Sequence, residues 1–221
     1  MALKFVRLLI RLVLRIIARV ELVGMEHLPK SGGFVIAANH VGRLDAAMVY
    51  YVLDRTDIII MVAEKYQKYG ITRWLTRAVD GFFVDRFNPD VRALREALRR
   101  LQKGGVLAVS PEGTRSKSGT LIEARPGGIY LAWKAGVPIL PIALVGTEDY
   151  EVRARLKRFR RLDILVTAGP AFTLPQEARG KEREALLQEY TAEVMCRIAA
   201  LLPEEKRGFY ANHPKLKEFV K

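Results

Sequence analysis

Residues 32–53 read GGFVIAANHVGRLDAAMVYYVL. GGFVIAANH, residues 32–40, carries a short apolar run and reads as a buried strand. DAAMVYYVL, from Asp45, reads as a helix with the aspartate near its N-cap. A strand that passes through a short turn into a helix is the opening of a β-α unit, and the turn itself carries His40, Gly42 and Asp45.

The same alternation continues outward. DIIIMVAEK (57–65) predicts a second buried strand, YGITRWLTRAVD (69–80) a helix, and GFFVDR (81–86) a short strand ending in charge. NPDVRALREALRRLQKGG (88–105) is the clearest helix, with Asn88 as cap, Pro89 at the first helical position and a Gly-Gly stop. VLAVS (106–110) predicts a strand, PEGTRSKSGT (111–120) an exposed polar loop, and GGIYLAWKAG (127–136) a helix. VPILPIALVG (137–146) reads as an apolar strand that Pro138 and Pro141 would push to a sheet edge or bulge. RLDILVTAGP (161–170) reads as one more strand, and the segment from Pro175 to Leu202 as a long amphipathic helix. Strands alternating with helices argue for an α/β fold, a mainly parallel or mixed sheet flanked by helices.

The chain of 221 residues carries 37 Lys and Arg against 24 Asp and Glu, a formal net charge of +13, and half of its residues are hydrophobic. That is enough for one main globular domain with a sizeable core. So basic a balance favours anionic partners: nucleic acid, phosphate-bearing substrates or an anionic membrane surface. The arginines are dispersed between apolar residues and no nucleic-acid module appears, which argues against a nucleic-acid partner. A single cysteine, Cys196, excludes an internal disulfide and reads as a small buried apolar residue. With His27, His40 and His213 it forms no zinc-like spacing, so no metal site is expected.

The first twenty residues, MALKFVRLLIRLVLRIIARV, place Lys4, Arg7, Arg11, Arg15 and Arg19 at steps of three or four. At helical pitch these form one basic stripe beside a broad apolar arc. The arginines interrupt the run too often for a spanning helix or a signal peptide. The pattern fits a helix lying in a bilayer interface, and a core-packed helix with a solvated basic edge is the other reading. Residues 1–22 are therefore taken as an amphipathic membrane-interface helix and 23–221 as the main domain, with attachment to an anionic phospholipid membrane, monotopic or peripheral, at its cytoplasmic face.

His40 and Asp45 stand too far apart around a continuous helix to meet, so the pair is useful only across a turn, which Gly42 can supply. An aspartate on one ring nitrogen fixes the tautomer and leaves the other free to take a proton from a hydroxyl. No G-x-S-x-G elbow is present and Cys196 lies far away in a helix, which leaves direct attack by a bound acceptor hydroxyl as the simplest chemistry. Taken alone, His40 and Asp45 also fit an ordinary polar turn. Arg86 and Arg115 each follow a predicted strand, and in a parallel sheet two guanidiniums at such ends can converge on one phosphate beside His40.

NHVGRLD, GFFVDR, PEGTRS and VPILPI stand in the order of the four sequence blocks of the glycerolipid acyltransferases, and the chain resembles that family over roughly residues 20–150. The resemblance implies His40 as general base with Asp45 as its partner. It implies an acceptor-phosphate site of Arg86, Glu112, Gly113, Thr114 and Arg115, and a pocket or acyl-donor block at Val137, Pro138, Ile139 and Pro141. The reaction it implies is transfer of a fatty acyl group from acyl-CoA or acyl carrier protein, used as co-substrate without a separate cofactor, to the hydroxyl of lysophosphatidic acid. Another acceptor, such as glycerol-3-phosphate or a different lysophospholipid, and a non-catalytic protein that binds anionic lipid are the alternatives. Gly42 stands where many members have serine, and Ser110 where an aromatic residue is common.

Overall fold

The structure, a computed structural model, describes residues 2–85, 90–176 and 182–220. In chain order its main elements are α1 (Ala2–Ile17), β1 (Ala18–Val23), β2 (Phe34–Ala38), α2 (Asp45–Val52), β3 (Ile58–Ala63), α3 (Gly70–Ala78) and β4 (Phe82–Val84). There follow α4 (Val91–Gln102), β5 (Val106–Val109), α5 (Gly127–Ala135), β6 (Ile139–Val145), α6 (Asp149–Lys157), β7 (Leu162–Ala168) and α7 (Glu182–Ala200). Three short 3-10 turns, Glu204–Lys206, Gly208–Tyr210 and Pro214–Glu218, close the chain.

The strands form one seven-stranded sheet in the order β1-β7-β6-β2-β5-β3-β4. Every neighbouring pair is parallel except β6 with β7. The expected α/β fold with a mainly parallel sheet is what the chain adopts. β2 shows why its apolar run is continuous: Val35 and Ala37 join the core beneath α4, α5 and α7, while Phe34 and Ile36 join the core beneath α1 and α2. With period two and a helical layer on each side, every position needs an apolar side chain. Because β2 is central and parallel to β6 and β5, the turn after it opens at the carboxyl edge of the sheet, where ligands bind in open α/β folds.

Several expectations are corrected. β6 is not an edge strand but lies between β2 and β7. Pro141 is tolerated there because its missing N–H falls on the β7 side just where β7 has ended, at Ala168, and the Gly169 N–H still donates to the Pro141 carbonyl at 2.9 Å. The cap of α4 is Asp90, whose carboxylate accepts from the Ala93 N–H at 2.9 Å, and Asn88 and Pro89 lie outside the described residues. The 111–120 loop is not simply exposed, since Glu112 and Ser116 are buried.

The division after residue 22 also falls inside an element. The helix stops at Ile17, and residues 18–23 form β1, paired parallel to β7 in the main sheet. β1 adds Val20 and Val23, whose branched side chains suit a strand. α1 itself has two apolar faces. Val6 and Leu14 are buried, whereas Phe5, Leu8, Leu9, Leu12 and Ile16 are exposed by 50–66%. Arg7 is only 6% exposed; it donates to Asp54 at 2.8 Å and to the Arg55 carbonyl, so it does not belong to an outward basic stripe. Arg11 leans to the same aspartate at 3.8 Å, and Arg19 sits on β1 at 4.0 Å from Asp163. Lys4 and Arg15 remain exposed beside the apolar face. No helix among the described residues is long and apolar enough to cross a membrane.

Candidate active site

The turn after β2 is organised by one carboxylate oxygen. Asp45 Oδ2 accepts from His40 Nδ1 at 2.7 Å, from the Val41 N–H at 2.9 Å and from the Gly42 N–H at 3.0 Å. An acceptor with three donors converging on it fixes the Nδ1–H tautomer, which leaves Nε2 with a lone pair. Asp45 Oδ1 is buried and has no hydrogen-bond partner among the described residues. Gly42 is needed for close approach and not for a special φ: a Cβ there would stand 1.7 Å from the Thr147 carbonyl oxygen. That contact is a physical reason for glycine at a position where serine is common.

Three further segments hold this turn in place. Asn39, also buried, bonds the Leu144 backbone in both directions, at 2.9 and 2.7 Å, and so extends the β2–β6 pairing to the residue before the histidine. Glu112, 2% exposed, accepts from the His40 N–H at 2.7 Å and from the Ile122 N–H at 3.2 Å. The Ser116 N–H donates to the His40 carbonyl at 2.7 Å, so both backbone groups of His40 are taken by the 112–116 loop. Burial pushes the Glu112 carboxyl up to about 7, against the opposing pull of those backbone donors. Asp149, the first residue of α6, accepts from the Arg43 N–H at 2.9 Å and pairs with the Arg115 guanidinium, which ties the histidine turn to the far end of the same loop.

The C-terminal segment braces this arrangement from behind. Buried Glu148 pairs with Lys206, the Leu121 N–H donates to the Lys206 carbonyl at 3.0 Å, and the Ala124 N–H donates to the Tyr210 hydroxyl at 3.1 Å. Gly208 (φ 45°) runs so close to this loop that a Cβ would meet the Leu121 carbonyl oxygen at 2.2 Å.

His40 and Asp45 open onto a cavity of about 350 Å³. Asn39, Asp85, Ser110, Gly113 and Arg125 are its other polar lining. Its apolar wall comes from α2 (Met48, Val49, Val52), β3 (Ile60, Met61), β5 (Ala108, Val109) and β6 (Ile142, Leu144), with Leu94, Leu131 and Val166. Lining by α2 from Asp45 to Val52 gives it a length of roughly 10 Å at the helical rise. This is a largely apolar pocket with a histidine among its polar lining, which suits a ligand with a hydrocarbon chain and a reacting group next to it.

Of the expected site residues, the structure brings His40, Asp45 and Gly113 together. Glu112 sits against the histidine turn, both of its oxygens accepting from backbone amides, those of His40 and Ile122. Thr114 is exposed and, like Arg115, is not part of the cavity lining. Val137, Pro138, Ile139 and Pro141 do not line it either; the contribution of β6 comes from Ile142, the next residue along, and Leu144. Arg86 lies outside the described residues. Asn39, Arg125, Asp149 and Lys206 were not picked out from the sequence; only Asn39, directly before the histidine, carried a local signal.

A family model described as Acyltransferase matches residues 19–145, more than half of the chain. Human 1-acyl-sn-glycerol-3-phosphate acyltransferase alpha is 31% identical over 137 residues, 60% of this chain and 47% of that protein. A probable 1-acyl-sn-glycerol-3-phosphate acyltransferase of Mycoplasma genitalium is 33% identical over 147 residues, 63% of this chain and 54% of that one. The chain thus spans about half the length of the curated relatives it matches. The crystal structure of the 1-acyl-sn-glycerophosphate (LPA) acyltransferase PlsC from Thermotoga maritima superposes with a TM-score of 0.65 at 26% identity, over 87% of this chain and 76% of that one.

Proposed function

The chain belongs to the acyltransferase family, and from that premise we propose that it transfers a fatty acyl group from a thioester, on coenzyme A or acyl carrier protein, to the free hydroxyl of lysophosphatidic acid. The observation that carries this reading is the His40 Nδ1–Asp45 Oδ2 bond of 2.7 Å in the lining of a largely apolar cavity. His40 Nε2 takes the hydroxyl proton as the acceptor oxygen attacks the thioester carbonyl. The tetrahedral intermediate then collapses: the C–O ester bond is kept, the C–S bond breaks, and the imidazolium returns its proton to the departing sulfur. Asp45 holds the ring and stabilises the imidazolium between the two steps. The acyl chain lies along α2 between Met48 and Val52, and the acceptor's phosphate lies near Gly113 in the 112–116 loop.

The exposed apolar face of α1, with Lys4 and Arg15 at its flank, supports seating of this helix in the interface of an anionic membrane. The cytoplasmic face, where acyl thioesters are supplied, is the side the reading requires.

The deciding experiment measures thiol release from a long-chain acyl-CoA with and without lysophosphatidic acid, for wild type and His40→Ala in detergent micelles. Acceptor-dependent release by wild type alone is expected. A His40→Ala protein with full transfer activity sinks the mechanism, and a wild type active only with glycerol-3-phosphate or another lysophospholipid replaces the acceptor. Vesicle binding without transfer from either thioester carrier would leave a lipid-binding protein.

A further inference from the structure

We propose that Arg125, a residue outside the PEGTRS motif, is the cation that receives the acceptor's phosphate, whereas Arg115 is held away as a brace by Asp149. The proposal rests on the reading of the cavity as a phospholipid acceptor site and names the group that recognises the phosphate there.

Arg125 is placed beside the motif by the fold. Its N–H donates to the Pro111 carbonyl at 2.8 Å, which folds the chain back over the loop. Its Cδ lies 3.6 Å from the point a Cβ on Gly113 would occupy. Gly113 (φ 68°) therefore leaves room for the arginine's aliphatic arm to lie against the loop backbone. The side chain lines the same cavity as His40, Asp45 and Gly113, and it is the one arginine or lysine among the described lining residues. Two carboxylates, Asp45 and Asp85, line that cavity as well. Among the described lining residues, Arg125 is the one cationic side chain that a phosphate entering the cavity would meet.

The state of the two guanidiniums separates their roles. Arg115 is engaged by the Asp149 carboxylate, and that carboxylate is itself fixed by the Arg43 N–H. A phosphate that used Arg115 would have to displace or share this pair. Among the described residues the Arg125 guanidinium makes no hydrogen bond or ion pair, so all of its donors are open to a ligand. A free planar fork matches the geometry of phosphate oxygens and forms strong charge-assisted bonds with them.

The test uses equilibrium binding, which does not depend on turnover. Glycerol-3-phosphate is titrated calorimetrically into the full-length wild type, Arg125→Gln, Arg125→Lys and Arg115→Gln in detergent, and the acceptor KM and kcat are measured for the same proteins. Expected for Arg125→Gln is affinity weakened about tenfold or more, with KM raised by a similar factor, kcat nearly kept, and partial recovery in Arg125→Lys. Undiminished binding by Arg125→Gln, or a loss confined to Arg115→Gln, overturns the assignment. A wild type that binds glycerol-3-phosphate through Arg125 but transfers nothing retires the enzymatic reading alone; a wild type that turns over normally with Arg125→Gln unchanged in KM retires this proposal alone. Loss of melting temperature in Arg125→Gln is checked in parallel, and Arg125→Lys keeps the comparison valid if the glutamine variant is unstable.

Discussion

Gly42 and Thr147 are pressed together so tightly that the first carbon of any side chain at position 42 would lie 1.7 Å from the Thr147 carbonyl oxygen. The turn that presents His40 is thus moulded against the end of β6. Gly42→Ala must displace one of the two backbones and with it the two N–H donors that hold Asp45. We expect kcat to fall about a hundredfold, the scale on which a displacement of about 1 Å acts on positioned groups, while the protein still folds. Unchanged kcat in Gly42→Ala would show that the turn tolerates the shift.

Asp45→Asn keeps the size of the side chain and removes the acceptor that fixes the Nδ1–H tautomer. A drop in kcat of roughly 10²- to 10⁴-fold is expected, the range of a positioned general base, with a smaller change in acceptor KM. Rates and melting temperatures measured together check it; a variant that retains wild-type kcat removes Asp45 from the mechanism.

Glu112 predicts a specific pH effect on stability. Its carboxyl titrates at about 7 when folded, against about 4.5 in a model peptide, so between these values the folded state holds the proton that the unfolded state has released. Its contribution is fully favourable below about pH 4.5 and is lost as the pH rises to 7. Wild type should therefore lose stability relative to Glu112→Gln across this window in urea titrations at several pH values. A difference that stays constant with pH contradicts the raised titration. Glu112→Gln should also lower kcat, because an amide can accept from only one of the two backbone N–H groups that now hold His40 and Ile122.

The two faces of α1 should respond to mutation differently. Leu8→Ser with Leu12→Ser alters the exposed face, so vesicle sedimentation should fall by roughly tenfold or more, with the melting temperature nearly unchanged. Arg7→Ala, on the inner face, should cost about 1–3 kcal/mol of stability and leave vesicle binding of the folded protein intact. The reverse pattern would mean that the exposed leucines pack against protein.

Filling the far end of the cavity should shift chain preference. Val52→Trp places a large ring where α2 ends, and kcat/KM for dodecanoyl against hexadecanoyl thioester should rise if the acyl chain lies there. An unaltered ratio puts the chain elsewhere.

The sequence revealed most of the strands and helices because β2, β3 and β5 are continuous apolar runs, because β7 alternates buried residues with more exposed ones, and because α4 carries its leucines at strict helical spacing. It misjudged β6 because the rule that confines proline to edges depends on where the neighbouring strand ends, and the end of β7 at Ala168 is a tertiary fact. It missed β1 because a six-residue strand directly following a helix leaves no break in apolar periodicity. In the site, His40 and Asp45 were legible because they act across five residues. Asp149, Lys206 and Arg125 were not, since their relation to the histidine turn exists only after β6, the C-terminal turns and the loop have come together. Arg7 shows the limit in the other direction: its spacing placed it on a basic stripe, and its partner Asp54, forty-seven residues away, drew it inward.

α1 passes into β1 with no residue between them: Ile17 ends the helix and Ala18 begins the strand that pairs with β7. A helix fused to the sheet in this way has no tether on which the rest of the molecule can swing. With α1 seated on a bilayer, the cavity mouth keeps one height and one tilt above the lipid plane, and productive encounters become a two-dimensional search. Turnover should then follow the mole fraction of acceptor within the leaflet, and diluting the acceptor with inert lipid at constant bulk concentration should slow the reaction.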